Sequence, residues 1–102
     1  MYYRRKVLLA ILQAFGGQLD KMSLQKLVFL FAQNQSAPAF HFVPYKFGCY
    51  SFQLASDLGT LRKYEQVLQT EKEVRVLDAT IYKTQLLAAD QLLLQTLSSR
   101  YQ

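Results

Sequence analysis

The sequence predicts an α+β fold, mainly α: a compact helical domain with a small β-hairpin. Three observations carry that expectation. Apolar residues recur at helical spacing in four stretches. Val67-Leu68 and Val74-Arg75-Val76-Leu77 flank Glu71-Lys72 as a short hairpin. Hydrophobic residues make up 51% of the 102, with seven Phe and seven Tyr, enough for one core. Residues 1–102 are therefore expected to form a single domain, either free-standing or the N-terminal part of a longer protein.

Leu8, Ile11, Leu12 and Phe15 fall at i, i+3, i+4 and i+7 and mark the first helix. Val7 and Ala14 widen its apolar face, and Gly16-Gly17 stops it. Asp20 or Ser23 caps a second helix bearing Leu24, Leu27, Val28, Leu30 and Phe31, with Phe29 on another side. So wide an apolar surface predicts the central helix of the domain. Asn34 to Ala39 reads as a loop. Phe40 to Val43 alternates rings with His41 and predicts a short strand, which Pro44 confines to a sheet edge or ends.

Gly48 permits a sharp turn, and Ser51 is an N-cap for a third helix carrying Phe52, Leu54, Ala55, Leu58 and Leu61. Gly59 weakens that helix by ~1 kcal/mol relative to alanine. The hairpin turn at Glu71-Lys72 has neither Gly nor Asn, so its type stays open. Ile81 and Tyr82 are expected to extend the second hairpin strand. Leu86, Ala89, Leu93 and Leu97 mark a last helix from about Thr84 to Tyr101. With Leu94, this leucine surface has three open uses: packing across the first helix, a homodimer contact, or the seam to a following domain. The first helix is an equally open homodimer surface.

A helical unit followed by a hairpin is winged-helix-like. It departs from the pattern in one respect. A helix-turn-helix joins its helices by a turn of about 3–4 residues. Here Gln35 to Tyr50 separates the second and third helices.

The formal net charge is +5, which permits contact with nucleic acid, an acidic protein or an anionic membrane surface. The charge is dispersed, with only Arg4-Arg5-Lys6 and Arg62-Lys63 adjacent. A single cysteine, Cys49, excludes an internal disulfide framework and a cysteine-based zinc site, and it suits a reducing, cytoplasmic compartment. The apolar run after Lys6 is short and broken by Gln13, unlike a secretory signal. No run reaches the ~18 apolar residues of a membrane span, so no membrane role is expected. There is no metal-ligand spacing and no phosphate loop, so no cofactor is expected.

His41, Cys49 and Asp57 include the residue types of a cysteine–histidine nucleophilic site. One histidine and one cysteine in this length are more simply a strand residue and a small packed thiol, and the chain reads as non-enzymatic. The densest feature runs from Phe40 to Phe52. Phe40, Phe42, Phe47 and Phe52 are expected in the core. Tyr45 and Tyr50, with polar tips, are expected at the surface beside Lys46. At the N-terminus, Tyr2, Tyr3, Arg4 and Arg5 either dock a partner or fray.

Double-stranded DNA is the alternative partner. The third helix in the major groove and the hairpin on the backbone would use Lys46, Arg62, Lys63, Lys72 and Arg75. Asp57, expected on the polar face of that helix, would face phosphates poorly.

The order Leu24-Gln25-Lys26-Leu27, Leu30, then Phe42-Val43-Pro44-Tyr45-Lys46-Phe47-Gly48-Cys49-Tyr50-Ser51, then Leu58 and Leu61, resembles bacterial Panacea-type domains. These include SocA-like antitoxin domains and related modules of prokaryotic defence and toxin–antitoxin loci. The resemblance covers about Tyr3 to Tyr64, and the same stretch resembles amino-terminal modules set ahead of larger domains. It implies that Gln25, Lys26, Pro44, Tyr45, Lys46, Gly48, Tyr50 and Ser51 build the fold and a face that binds a protein partner. Tyr45, Lys46, Tyr50 and Gln25 are the expected partner contacts. It implies no catalytic residue at these positions.

Overall fold

The computed structural model describes residues 1–46 and 48–101. It is α+β and mainly α. In chain order it runs α1 (Tyr3–Ala14), β1 (Gln18–Asp20), α2 (Lys21–Gln33), β2 (Val43–Tyr45), β3 (Gly48–Tyr50), α3 (Phe52–Lys63), β4 (Val67–Gln69), β5 (Glu73–Val76) and α4 (Ala88–Tyr101). A single 3-10 turn, Lys83–Gln85, precedes α4. None of these helices is long and apolar enough to cross a membrane.

The central helix is α1, not α2. Every residue from Val7 to Leu12 is buried, because α2, α3, α4, β1 and β5 all pack on α1. A helix enclosed on all sides has no polar face to show in its sequence. It ends at Gly16 and Gly17, at φ +89° and +84°, and the Gly17 amide donates to the Leu12 carbonyl at 2.8 Å.

The next strand, β1, has three residues and one partly buried side chain, Leu19, too little for an alternation to be read. Its partner makes it a strand. It pairs antiparallel with β5 in the register Gln18↔Arg75, Leu19↔Val74, Asp20↔Glu73. The three-stranded sheet has the order β1-β5-β4. Asp20 then caps α2, its carboxylate accepting the Ser23 amide at 2.9 Å.

The strand expected at Phe40 to Val43 lies further on. Phe40 is buried in the core as an anchor, and the His41 amide is held by the Gln53 side-chain oxygen at 2.8 Å. Pairing begins only at Val43, where β2 and β3 form a two-stranded ribbon with Pro44 opposite Cys49. A proline is tolerated there because both strands of a lone ribbon are edges. Gly48 sits at φ +111°, a conformation in which a β-branched side chain is strained. Gly48→Val is expected to cost about 2 kcal/mol. An unchanged melting temperature would reject the strain.

The β4–β5 hairpin turns without glycine because Thr70 supplies the bonds. Its amide donates to the Glu73 carbonyl at 2.9 Å, and its hydroxyl accepts the Glu73 amide at 3.1 Å. Ile81 and Tyr82 do not extend β5, which ends at Val76. Instead Gln13 holds the Thr80 carbonyl and the Tyr82 amide, Tyr82 is buried, and its hydroxyl donates to Asp78.

The last helix starts at Ala88 rather than Thr84, and Ala89 faces solvent. Leu86, Leu94 and Leu97 enter the core, and α4 packs on α1 and α2. The contact is keyed by Tyr3, whose hydroxyl donates to the buried Asp90 at 2.6 Å and accepts the Leu87 amide at 2.9 Å. Burial, and then Asp90, push the Tyr3 hydroxyl from 10.0 up to about 12. A raised folded-state value stabilises fully below the unfolded value and is lost as pH rises through the folded one. Stability should therefore fall between pH 10 and about 12. Tyr3→Phe should flatten that fall without removing it, because Tyr82 is raised in the same way by burial and Asp78. An equally steep alkaline melt for the variant would refute the assignment.

The N-terminal arginines do not fray. Asp57 is fully buried on α3 rather than on its polar face. The carboxylate accepts from Arg4 at 2.6 and 3.2 Å and from Arg5 at 3.1 Å. The Tyr2 ring lies 4.6 Å from the Arg5 guanidinium carbon, within cation–π range.

Candidate interaction groove

One apolar groove of about 330 Å³ lies between α2, the ribbon and α3. Lys21, Met22, Gln25, Lys26 and Phe29 form the α2 wall. Spacings of one, four, five and eight residues place them on one stripe of that helix. The ribbon contributes Tyr45, Gly48, Cys49 and Tyr50; α3 contributes Leu54, Ala55 and Leu58; Gln69 closes the end at β4.

The wall is held in place by Gln25, which is only 8% exposed. Its side-chain oxygen accepts the Ser51 amide at 2.9 Å, and its side-chain nitrogen donates to the Ser51 carbonyl at 3.2 Å. Ser51 in turn caps α3, its hydroxyl accepting the Leu54 amide at 3.2 Å. One side chain of α2 thereby sets where the ribbon becomes α3. Gln25 was expected to touch a partner. It lines the groove, but both ends of its amide are taken by the backbone of Ser51, which leaves little of it exposed.

Beside the groove, three rings pack on one another. Tyr45 lies 5.0 Å from Tyr50 and 5.7 Å from Phe52, and Tyr50 lies 5.0 Å from Phe52, both Phe52 contacts being edge-on. Tyr45 is 50% exposed and Tyr50 half-buried, with Lys46 exposed at the ribbon turn. Phe52 corrects the sequence expectation: it is 58% exposed rather than in the core. It is the first residue of α3, and Ser51 rather than Phe52 faces inward there. Phe40 is buried, and Phe42 is half-buried with its ring edge-on to Phe29 at 5.3 Å. The expectation for Phe47 falls outside the described residues.

The five basic residues of the alternative reading occupy different elements. Lys46 is on the ribbon turn, Arg62 and Lys63 end α3, Lys72 is in the β4–β5 turn and Arg75 is on β5. All are exposed, and none forms an ion pair with another described residue. Of the three residues of the nucleophile reading, His41 and Cys49 are exposed, whereas Asp57 is buried against the two arginines. No group of three metal-ligating side chains forms among the described residues.

Sequence reasoning found the ribbon side of the groove and, on α2, Gln25 and Lys26; it missed Lys21, Met22 and Phe29. Met22 and Phe29, seven residues apart and off the main apolar face, were the available signal. Compared with protein-family models, curated proteins and solved structures, the chain matches none.

Proposed function

We propose that this chain is a non-enzymatic, cytoplasmic protein-interaction module of a prokaryotic defence or toxin–antitoxin type system. It binds its partner through the ring cluster and the adjoining groove. The observation that carries the reading is the mutually packed trio Tyr45, Tyr50 and Phe52, two of them exposed, at the lip of an apolar cleft. Large rings held rigid at the surface are the residue type that dominates interface energetics. The resemblance of the Gln25-to-Ser51 motif to antitoxin-type domains supplies the biological setting.

The test is co-expression of the chain with the product of each neighbouring reading frame. One product is expected to co-purify, and Tyr45→Ala is expected to weaken it about tenfold or more. The variant should melt within a few degrees of the wild type, because Tyr45 is half exposed. Unfolding of the variant, or undiminished binding, would contradict the reading.

A DNA-binding winged helix is the second reading, favoured by the sheet order β1-β5-β4 with β1 between α1 and α2. In it α3 takes the place of the recognition helix and β4–β5 that of the wing. The burial of Asp57 removes one objection, since no carboxylate from that position meets the phosphates. Five phosphate contacts would give a log–log salt slope of about −4 to −5. Sub-micromolar, sequence-selective duplex binding at physiological salt with that slope would favour DNA over the protein partner.

A further inference from the structure

The groove has a shape and a charge of its own. Its α2 wall from Lys21 to Phe29 runs about 12 Å at 1.5 Å per residue. Opposite it, Leu54, Ala55 and Leu58 on α3 make a second helical wall one turn long. A helix with apolar anchors at i and i+4 covers about 6 Å, which such a two-helix cleft accepts. The cleft holds about 330 Å³. A cavity of about 150 Å³ accommodates a benzene ring, so this one has room for roughly two large side chains. Two cations, Lys21 and Lys26, stand on the lining, and no carboxylate does among the described residues. Asp20, the nearest acid along α2, accepts the Ser23 amide and lies outside the lining, though close enough to Lys26 to feel its charge.

We propose that the groove takes a short amphipathic helix of the partner protein, with two large apolar side chains in the cleft and a carboxylate paired with Lys21 and Lys26. This rests on the interaction reading and specifies its partner. Charge complementarity selects an acidic helix over a basic one. The lysines steer and orient the segment, while the apolar side chains supply most of the affinity.

Cys49 gives a direct readout. It is the single cysteine, it is exposed, and it lines the groove. A displayed library of random 16-residue peptides is selected on the whole chain, and each recovered peptide is tested for slowing the reaction of Cys49 with a thiol reagent. The expected sequences carry apolar residues at i and i+3 or i+4, with Asp or Glu on one flank, and become helical on binding. Lys21→Glu with Lys26→Glu is expected to weaken them about tenfold, mostly through association rate and salt dependence. Ala55→Trp, which fills the cleft, should abolish both binding and shielding. Met22→Glu, at an exposed position on the α2 wall, does the same work if Ala55→Trp fails to fold.

Recovery of extended, proline-rich or basic peptides would overturn the proposal, as would failure to recover any peptide that shields Cys49. Shielding by the chain itself at high concentration would assign the groove to a second copy. Shielding by a fatty acid, with none by peptides, would assign it to a small apolar acid. If a native partner loses affinity with Tyr45→Ala but binds Ala55→Trp and the lysine variants normally, the interaction reading stands and this inference falls.

Discussion

Replacing Arg4 and Arg5 together by methionine is expected to destabilise the domain by about 4 kcal/mol, the range for breaking a buried ion pair. Asp57 is fully buried, and these two side chains supply its ion-pair partners. Without them the carboxylate either remains charged in an apolar setting or takes up a proton, and both cost free energy. For a domain of this size the melting temperature should fall by roughly 15–25 °C. Either single replacement should cost much less, because the other guanidinium still reaches the carboxylate. Adding Asp57→Leu to the double variant should recover most of the loss, since an apolar residue in place of the ion removes the orphaned charge. Thermal melts of the wild type and the four variants decide it. A double variant melting within a few degrees of the wild type would show that water reaches Asp57.

Gln25→Ala is expected to cost about 3 kcal/mol, combining an orphaned Ser51 amide with the void left by the side chain. The Ser51 carbonyl retains the Ala55 amide, so the loss falls on the donor side. The consequence for the site is the larger effect. Gln25 is the side-chain bridge from α2 to the ribbon–α3 junction, and its loss lets Tyr45, Tyr50 and Phe52 move relative to the α2 wall. Hydrogen exchange should rise at Gly48 to Leu54 before it rises in α1. Uniform protection across those segments would show that Gln25 packs without clamping. Tyr45→Ala should do the reverse, leaving stability intact and weakening binding.

The difference between Gln25 and Tyr45 shows how far the sequence could be read. Both belong to the stretch that the sequence reading expected to build a binding face. Nothing in their order along the chain distinguishes a side chain that holds the proposed binding face from one that forms it. Burial makes that distinction, and burial depends on a residue 26 positions away in the case of Gln25 and Ser51. Phe52 was misplaced for the same reason. A phenylalanine is more often inside than outside, but the first residue of a helix capped by an inward-facing serine points out. Asp57 erred in the other direction: a carboxylate is ordinarily exposed, and only its two arginine partners, more than fifty residues earlier, bring it inside.

The sequence by itself determined the local elements. Apolar spacing located the helices, Gly16-Gly17 and Gly48 marked positions of positive φ, and Ser51 placed the start of α3. Each of these is decided by a few neighbouring residues through sterics and capping. The tertiary structure alone decided which helix is central, that β1 is a strand, where Asp57 points and that α2 and α3 leave a groove between them. Those outcomes depend on hydrogen-bond partners and packing surfaces supplied from distant parts of the chain. A three-residue strand or a buried carboxylate has no stability until those partners arrive, so no local pattern announces it.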